Sequence, residues 1–310
     1  MHYSYKYSII IPHYNIPDLL GRCLRSIPER DDIQVIVVDD NSPGSDKYKV
    51  TIPELSRSNV EFYVTPNNRG GGAARNQGLQ YVKGEKLLFA DADDFFVDNF
   101  GDMLDRYSKT NYDLIYFNVK SVMSDDISKP ANRSKKKLFD EYYELDDINV
   151  IKSKYTEPWG KIYKFSVIKE NDILFDETPV ANDVMFSLKA SYCSENVKVV
   201  NDVMYVLTAR EGSVSYLGVD TLDKLCVRLD VMSRAQLYLS SKGIEPVPMV
   251  VFKLMVNLSH RNFRLFLKYL ASFHAQGIPV GKLLYQILTL RVLSPSKREK
   301  INVKVSTYNT

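Results

Sequence analysis

The chain has 310 residues, enough for one large domain or two of ordinary size, and its 45% hydrophobic and 25% charged residues are the profile of a folded protein rather than a disordered one. A net charge of +3 is too small to point to a nucleic-acid partner, and no run approaches the ~18 apolar residues that span a bilayer. Cys23, Cys193 and Cys226 are odd in number and outside any CxxC spacing, so they indicate neither a disulfide framework nor a zinc site. They read as reduced thiols, and MHYSYKYSIIIP lacks the charged start and long apolar core of a secretory signal, so a cytoplasmic protein is expected. Twenty-one Tyr against one Trp suit sugar or nucleotide surfaces and are equally ordinary core material.

Tyr7 to Ile11 is a β-branched run stopped by Pro12, which predicts a buried strand and then the polar His13-Tyr14-Asn15. A helix is expected from about Asp18 to Ser26, with Leu19, Leu20, Cys23 and Leu24 on one face. A second buried strand, Ile33 to Val38, ends in Asp39 and Asp40 and a turn-rich segment, and Val60 to Val64 reads as a third. Asn67 to Gly78 is then a glycine-rich turn passing into a helix. Amides at such a start favour anions, so a phosphate with Arg75 as partner fits, as does a surface turn.

Lys86 to Phe96, KLLFADADDFF, runs from a buried strand into Asp91, Asp93 and Asp94. Three carboxylates in four residues repel one another unless a cation or donor-rich ligand neutralises them, and oxygen-only donors suit Mg²⁺ or Mn²⁺. A solvated turn or a helix N-cap is the alternative, Asp94 being the residue for a cap. Strands alternating with helices predict a mostly parallel α/β sheet, so the strands ending at Asp39 and Asp91 present their carboxylates on one edge, where ligands of such sheets sit.

A helix is predicted over about Phe100 to Tyr107 and a strand over Asp113 to Val119. Asp125 to Lys137, with its basic run Arg133 to Lys137, reads as an exposed loop. Trp159 stands between Pro158 and Gly160, outside any regular element. Asp183 precedes an apolar helical pattern as either its cap or a carboxylate for proton abstraction. Val197 to Val200 and Val203 to Leu207 are predicted as separate short strands, followed by a loop carrying Arg210. After Tyr216 the pattern becomes helical, through Leu222 to Met232, Met249 to Leu270 and Leu283 to Leu293. Apolar faces there are edged by Lys253, Arg261, Arg264 and Lys268. These helices suit core or homo-oligomer packing, or an anionic membrane surface.

SIIIPHYN, VIVVDDNS, GGGAARNQGL, FADADDFF, PWGKIYK and NDVMF together make the first ~215 residues resemble family-2 inverting glycosyltransferases of bacterial polysaccharide type. The resemblance implies a GT-A nucleotide-binding domain over 1–216, divided into a nucleotide-sugar half at 1–100 and an acceptor half at 101–216. A helical region it does not cover follows at 217–310. It implies that Pro12, Tyr14 and Asp40 border the nucleotide, that Arg75 neutralises the diphosphate, and that Asp91 approaches the ribose. Asp93 would hold the Mn or Mg ion of a DxD motif, and Arg210 with Ser213 would close over the donor. Asp183 would be the base, Trp159 would border the acceptor, and Asn182 stands where the family has Glu. The implied partners are a UDP-sugar and a saccharide or lipid-linked saccharide on the inner membrane face. A nucleotidyltransferase usually carries a basic glycine-rich loop after its first strand, where this chain has PHYN. A silent nucleotide-sugar-binding scaffold would not need Asp93 and Asp183.

Overall fold

The computed structural model describes residues 3–210, 221–244, 248–277 and 281. The chain divides into two compact units, Met1–Tyr216 and Leu217–Thr310. In the first unit the strands are β1 (Tyr5–His13), β2 (Ile33–Asp39), β3 (Val60–Val64), β4 (Gly84–Phe89), β5 (Phe95–Phe96), β6 (Leu114–Met123), β7 (Lys161–Lys164) and β8 (Val197–Ala209). The helices are α1 (Pro17–Arg25), α2 (Tyr48–Thr51), α3 (Gly71–Leu79), α4 (Phe100–Tyr107), α5 (Lys136–Leu145), α6 (Ile148–Lys154), α7 (Phe165–Glu170) and α8 (Val184–Cys193).

The strands form one sheet in the order β3-β2-β1-β4-β7-β6-β8-β5. The first four are parallel, β7 runs antiparallel to both neighbours, and β6 and β8 are parallel. β1 and β2 are buried along nearly their whole length, as runs such as Ile9-Ile10-Ile11 require when both faces are covered. β1 continues through Pro12 instead of stopping there: Pro12 pairs with Val38 and His13 with Asp39. The Ala90 amide donates to the Ile10 carbonyl, so Ile10, and with it Pro12 two residues on, turns its polar groups toward β4. β4 has ended before Pro12 is reached, and the missing N–H forfeits no ladder bond.

α3 packs on β1 and β2 through small residues. Ala74 is fully buried, and a Cβ on Gly78 would stand 2.7 Å from Ile10 Cγ2. This close seating fixes the distance between the glycine-rich turn and the ends of the parallel strands.

Several sequence expectations change. β8 is one strand rather than two, because a register irregularity around Asn118 in β6 absorbs the polar Asn201-Asp202 step, and Asn118 Nδ2 donates to Asn201 Oδ1 at 2.9 Å. The basic run is not all loop, since α5 begins at Lys136. Asp94 caps no helix: it precedes β5.

The second unit contains α9 (Leu222–Ser241), α10 (Pro248–Arg261) and α11 (Phe263–Ala275), which bury Leu225, Leu229, Met255, Leu258, Phe266 and Phe273 as a core of their own. The expected helical stretch through Leu270 breaks at Asn262, whose side chain caps α11 by accepting the Leu265 amide. The stretch Leu283 to Leu293 lies outside the described residues. Among the described residues no helix is long and apolar enough to cross a membrane.

Candidate active site

β1, β2 and β4 bring their carboxyl ends to one edge, and the residues there are cross-linked. His13 Nδ1–H donates to Asp39 Oδ2 at 2.6 Å, and this tautomer is set by His13 Nε2, which accepts the Ile16 amide at 3.1 Å. Asp39 also accepts the Ser42 amide and hydroxyl, each at 2.7 Å. Burial opposes its charge, but the hydrogen bonds from His13 and Ser42 outweigh it and hold the carboxyl below its ordinary value.

Asp40, one residue on, turns toward the glycine-rich turn. It accepts the Arg69 amide at 3.0 Å and the Gly70 amide at 2.6 Å. Gly70 has φ +86°, a conformation that favours glycine, and it opens α3. The expected base-contacting carboxylate is therefore also the clasp that shapes the start of α3.

Arg75, on α3, is 7% exposed and spans two segments. It donates from Nη2 to Asp91 Oδ1 at 2.5 Å and from Nη1 to Asn182 Oδ1 at 3.1 Å, with its guanidinium 5.3 Å from the Phe175 ring centre. Burial and then the charge of Asp91 raise the Asp93 carboxyl above its ordinary value, against the pull of Arg210, whose Nε lies 3.8 Å from Asp93 Oδ2. Asp94 is buried and is pushed well up by burial and then by Asp93 and Asp91, while the Thr208 amide donates to it at 2.6 Å.

Arg22 of α1 ties this loop to β8. It donates to the Asp93 carbonyl at 2.5 Å and to the Ser124 carbonyl at 3.1 Å, and the Thr208 hydroxyl donates to the same Asp93 carbonyl at 2.6 Å.

Asp183 stands at the start of α8, but its side chain makes no capping bond. Burial, then the negative charge of Glu157, push its carboxyl up to about 6, against Arg75. Glu157 is paired with Lys135 at 2.7 Å. Beneath it the fully buried Lys161 donates to the carbonyls of Tyr155 and Glu157, both at 2.6 Å, and burial lowers its ammonium to about 7. Trp159 is only 5% exposed and stacks on Tyr205 with ring centres 5.8 Å apart, so its ring belongs to the core under the site. Ser213 lies outside the described residues.

The edge carries a pocket of about 300 Å³, walled among others by Pro12, Tyr14, Asp40, Gly70, Arg75, Asp91 and Asp93. Asn182 is not among the residues that wall it and is joined to it through Arg75. Ligand oxygens of Asp91, Asp93 and Asp94 lie within 4.8 Å of one another. Oxygen-only donors, with the Asp93 and Asp94 carboxyls raised by burial and by neighbouring carboxylates, fit a hard divalent cation. One oxygen of Asp91 is occupied by Arg75 and one of Asp94 by Thr208, while Asp93 has the looser ion pair with Arg210 at 3.8 Å.

His13, Arg22, Asn76, Glu157 and Thr208 were not singled out by sequence reasoning. The one available signal was for His13, which closes the first strand beside a second strand ending in carboxylates.

The arrangement matches solved structures in fold. Over 82% of this chain and 73% of the other, it superposes on TarS 1–349 of Staphylococcus aureus in complex with UDP-GlcNAc at a TM-score of 0.62 and 23% identity. A mannosyltransferase of Pyrobaculum calidifontis in complex with GDP-Man and Mn²⁺ gives 0.53 at 18% identity, over 98% of this chain and 86% of that one. The first unit thus has the α/β architecture of the GT-A fold. The model of "Glycosyl transferase family 2" matches residues 8–171, more than half of the chain, and the chain belongs to that family.

Among curated proteins it is 31% identical over 229 residues to a poly(ribitol-phosphate) beta-glucosyltransferase of Bacillus spizizenii, covering 68% of this chain and 34% of that protein. It is 28% identical over 219 residues to the poly(ribitol-phosphate) beta-N-acetylglucosaminyltransferase TarS of S. aureus, covering 67% and 36%. The chain spans about a third of the length of these relatives.

Proposed function

We propose that this chain is a metal-dependent inverting glycosyltransferase that moves a hexose from a UDP-sugar to a hydroxyl of a surface polysaccharide or lipid-linked oligosaccharide. The named activities of its relatives favour a polyol-phosphate polymer of the teichoic type as acceptor. The observation that carries this reading is the sheet-edge pocket, where Arg75 and a carboxylate cluster share one wall. Asp183, a carboxyl raised to about 6, is linked to that wall through Asn182 and Arg75.

In this reading Asp40, Pro12 and Tyr14 border the nucleotide, Asp91 faces the ribose and Asp93 holds the cation. Bound there, a divalent ion neutralises the charge that develops on the departing diphosphate. Arg75, on the same wall, stabilises the same charge. Asp183 takes the acceptor proton, the acceptor oxygen bonds to the anomeric carbon, and the bond to the phosphate oxygen breaks with its electron pair leaving on UDP. One displacement inverts the anomeric configuration, with Arg210 and Ser213 covering the donor and Trp159 and Asn182 backing the acceptor side. Exposed Arg261, Arg264 and Lys268 on the second unit suit contact with the inner membrane face, where such acceptors are assembled.

The test is transfer from UDP-GlcNAc and UDP-glucose, with Mn²⁺, to poly(ribitol phosphate), comparing the intact chain with Asp183→Asn. The variant should bind UDP normally and lose about 10²–10⁴-fold in rate, the usual worth of a general base. Full transfer by the variant would remove Asp183 from that role.

A further inference from the structure

The segment that carries Asn182 and Asp183 is seated on α3, the helix that also walls the donor pocket. Asn76 makes the seat: its Oδ1 accepts the Phe175 amide at 2.8 Å and its Nδ2 donates to the Phe175 carbonyl at 3.0 Å. One side-chain amide thus engages both backbone groups of Phe175, as a neighbouring strand would.

Phe175 is itself immobilised. Its ring stacks on Phe186 at 3.9 Å and meets Phe89 edge-on at 5.1 Å, inside the main core. From this anchor residues 176–182 form a closed loop, since the Asp176 amide donates to the Asn182 carbonyl at 3.0 Å. The loop also touches α3 where Arg75 holds the Asn182 side chain and where Asn76 Nδ2 reaches Glu177 Oε1 at 3.3 Å, and Glu177 pairs with Arg69 just ahead of the helix. Gly72 leaves no room between them: a Cβ there would overlap the Asp176 carbonyl oxygen and come within 3.1 Å of Asn182 Cβ.

We infer that Asn76 is a positioning residue for the transfer reaction, clamping the base-bearing loop to α3 so that the donor pocket and Asp183 share one rigid reference. The inference rests on Asp183 being the base, as proposed above. It assigns Asn76 and Gly72 no contact with donor or acceptor. The clamp joins residues 99 apart in sequence, and α3 bears both Arg75 on the donor side and Asn76 on the acceptor side. A base held this way needs no ordering when the acceptor arrives.

Asn76→Ala and Gly72→Ala are compared with the intact chain in three readouts. These are turnover of UDP-GlcNAc and UDP-glucose with Mn²⁺ and poly(ribitol phosphate), calorimetric UDP affinity, and amide exchange across residues 173–183. Both variants should lose about 100-fold in kcat, the usual effect of misplacing a catalytic group by about 1 Å. Their Kd for UDP should change by less than about threefold, and the 173–183 amides should exchange faster while β1 and β2 stay protected. A contact that only stabilises the fold would lower Tm and leave the kcat of the folded enzyme unchanged. A kcat within about twofold of the intact chain, or unaltered exchange at 173–183, overturns the clamp. Failure of the intact chain to turn over either donor contradicts the transferase reading instead, and the exchange measurement then decides the clamp.

Discussion

Asp183 shows at the scale of one residue how a candidate base is set. Burial and Glu157 raise its carboxyl to about 6, so the rate should fall with a midpoint near pH 6 on the acid side, well above an ordinary carboxylate. The same shift fixes the sign of its effect on stability. The folded carboxyl holds its proton more tightly than the unfolded one, so ionisation costs stability as pH rises through about 6. Asp183→Asn should therefore raise Tm at pH 7.5 by about 2–4 °C, on the order of 1 kcal/mol, and the gain should shrink toward pH 4. No gain at pH 7.5 would show that Asp183 is solvated. Asp94 differs from its neighbours in being committed to the Thr208 amide. Asp94→Asn preserves that acceptor and should leave Mn²⁺-dependent UDP affinity within about twofold; a tenfold loss would make Asp94 a ligand.

The positions of Asp93 beyond the apolar run of β4, of Arg75 in the helix after the glycine-rich turn and of Asp183 ahead of α8 were marked by local sequence pattern. Asn76, Arg22 and Thr208 were not. Their partners are 99, 71 and 115 residues away, and no local pattern reports a contact of that kind.

Among the elements, buried strands and amphipathic α1 followed directly from periodicity, and β1, β2 and β4 lie side by side as alternating strands and helices required. β8 was misread as two pieces because Asn201-Asp202 interrupts its apolar pattern, and the irregularity that accommodates them lies on the partner strand β6. The turn into β7 depends on Gly160, which has φ +66° and faces the Tyr155 hydroxyl so closely that a Cβ would overlap it. Gly160→Ala combines a strained left-handed backbone with overpacking and should destabilise by about 2–4 kcal/mol, read by urea unfolding. A loss below about 0.5 kcal/mol would mean the Trp159 loop is not held as tightly as its core burial implies.

For the whole molecule, composition bounded the class and the parallel-strand edge pointed to the candidate pocket, while the seating of the loop that leads to Asp183 depended on tertiary contacts with α3. The central claim is that this edge binds a nucleoside diphosphate through a cation held by Asp93. Calorimetric titration of UDP into the intact chain tests it most directly, with Mn²⁺ and then with EDTA, alongside Asp93→Ala with Mn²⁺. Binding should weaken at least about tenfold, or 1.4 kcal/mol, on chelation and equally in the variant. UDP affinity that is the same in EDTA and in Asp93→Ala as in the metal-loaded chain would contradict the account.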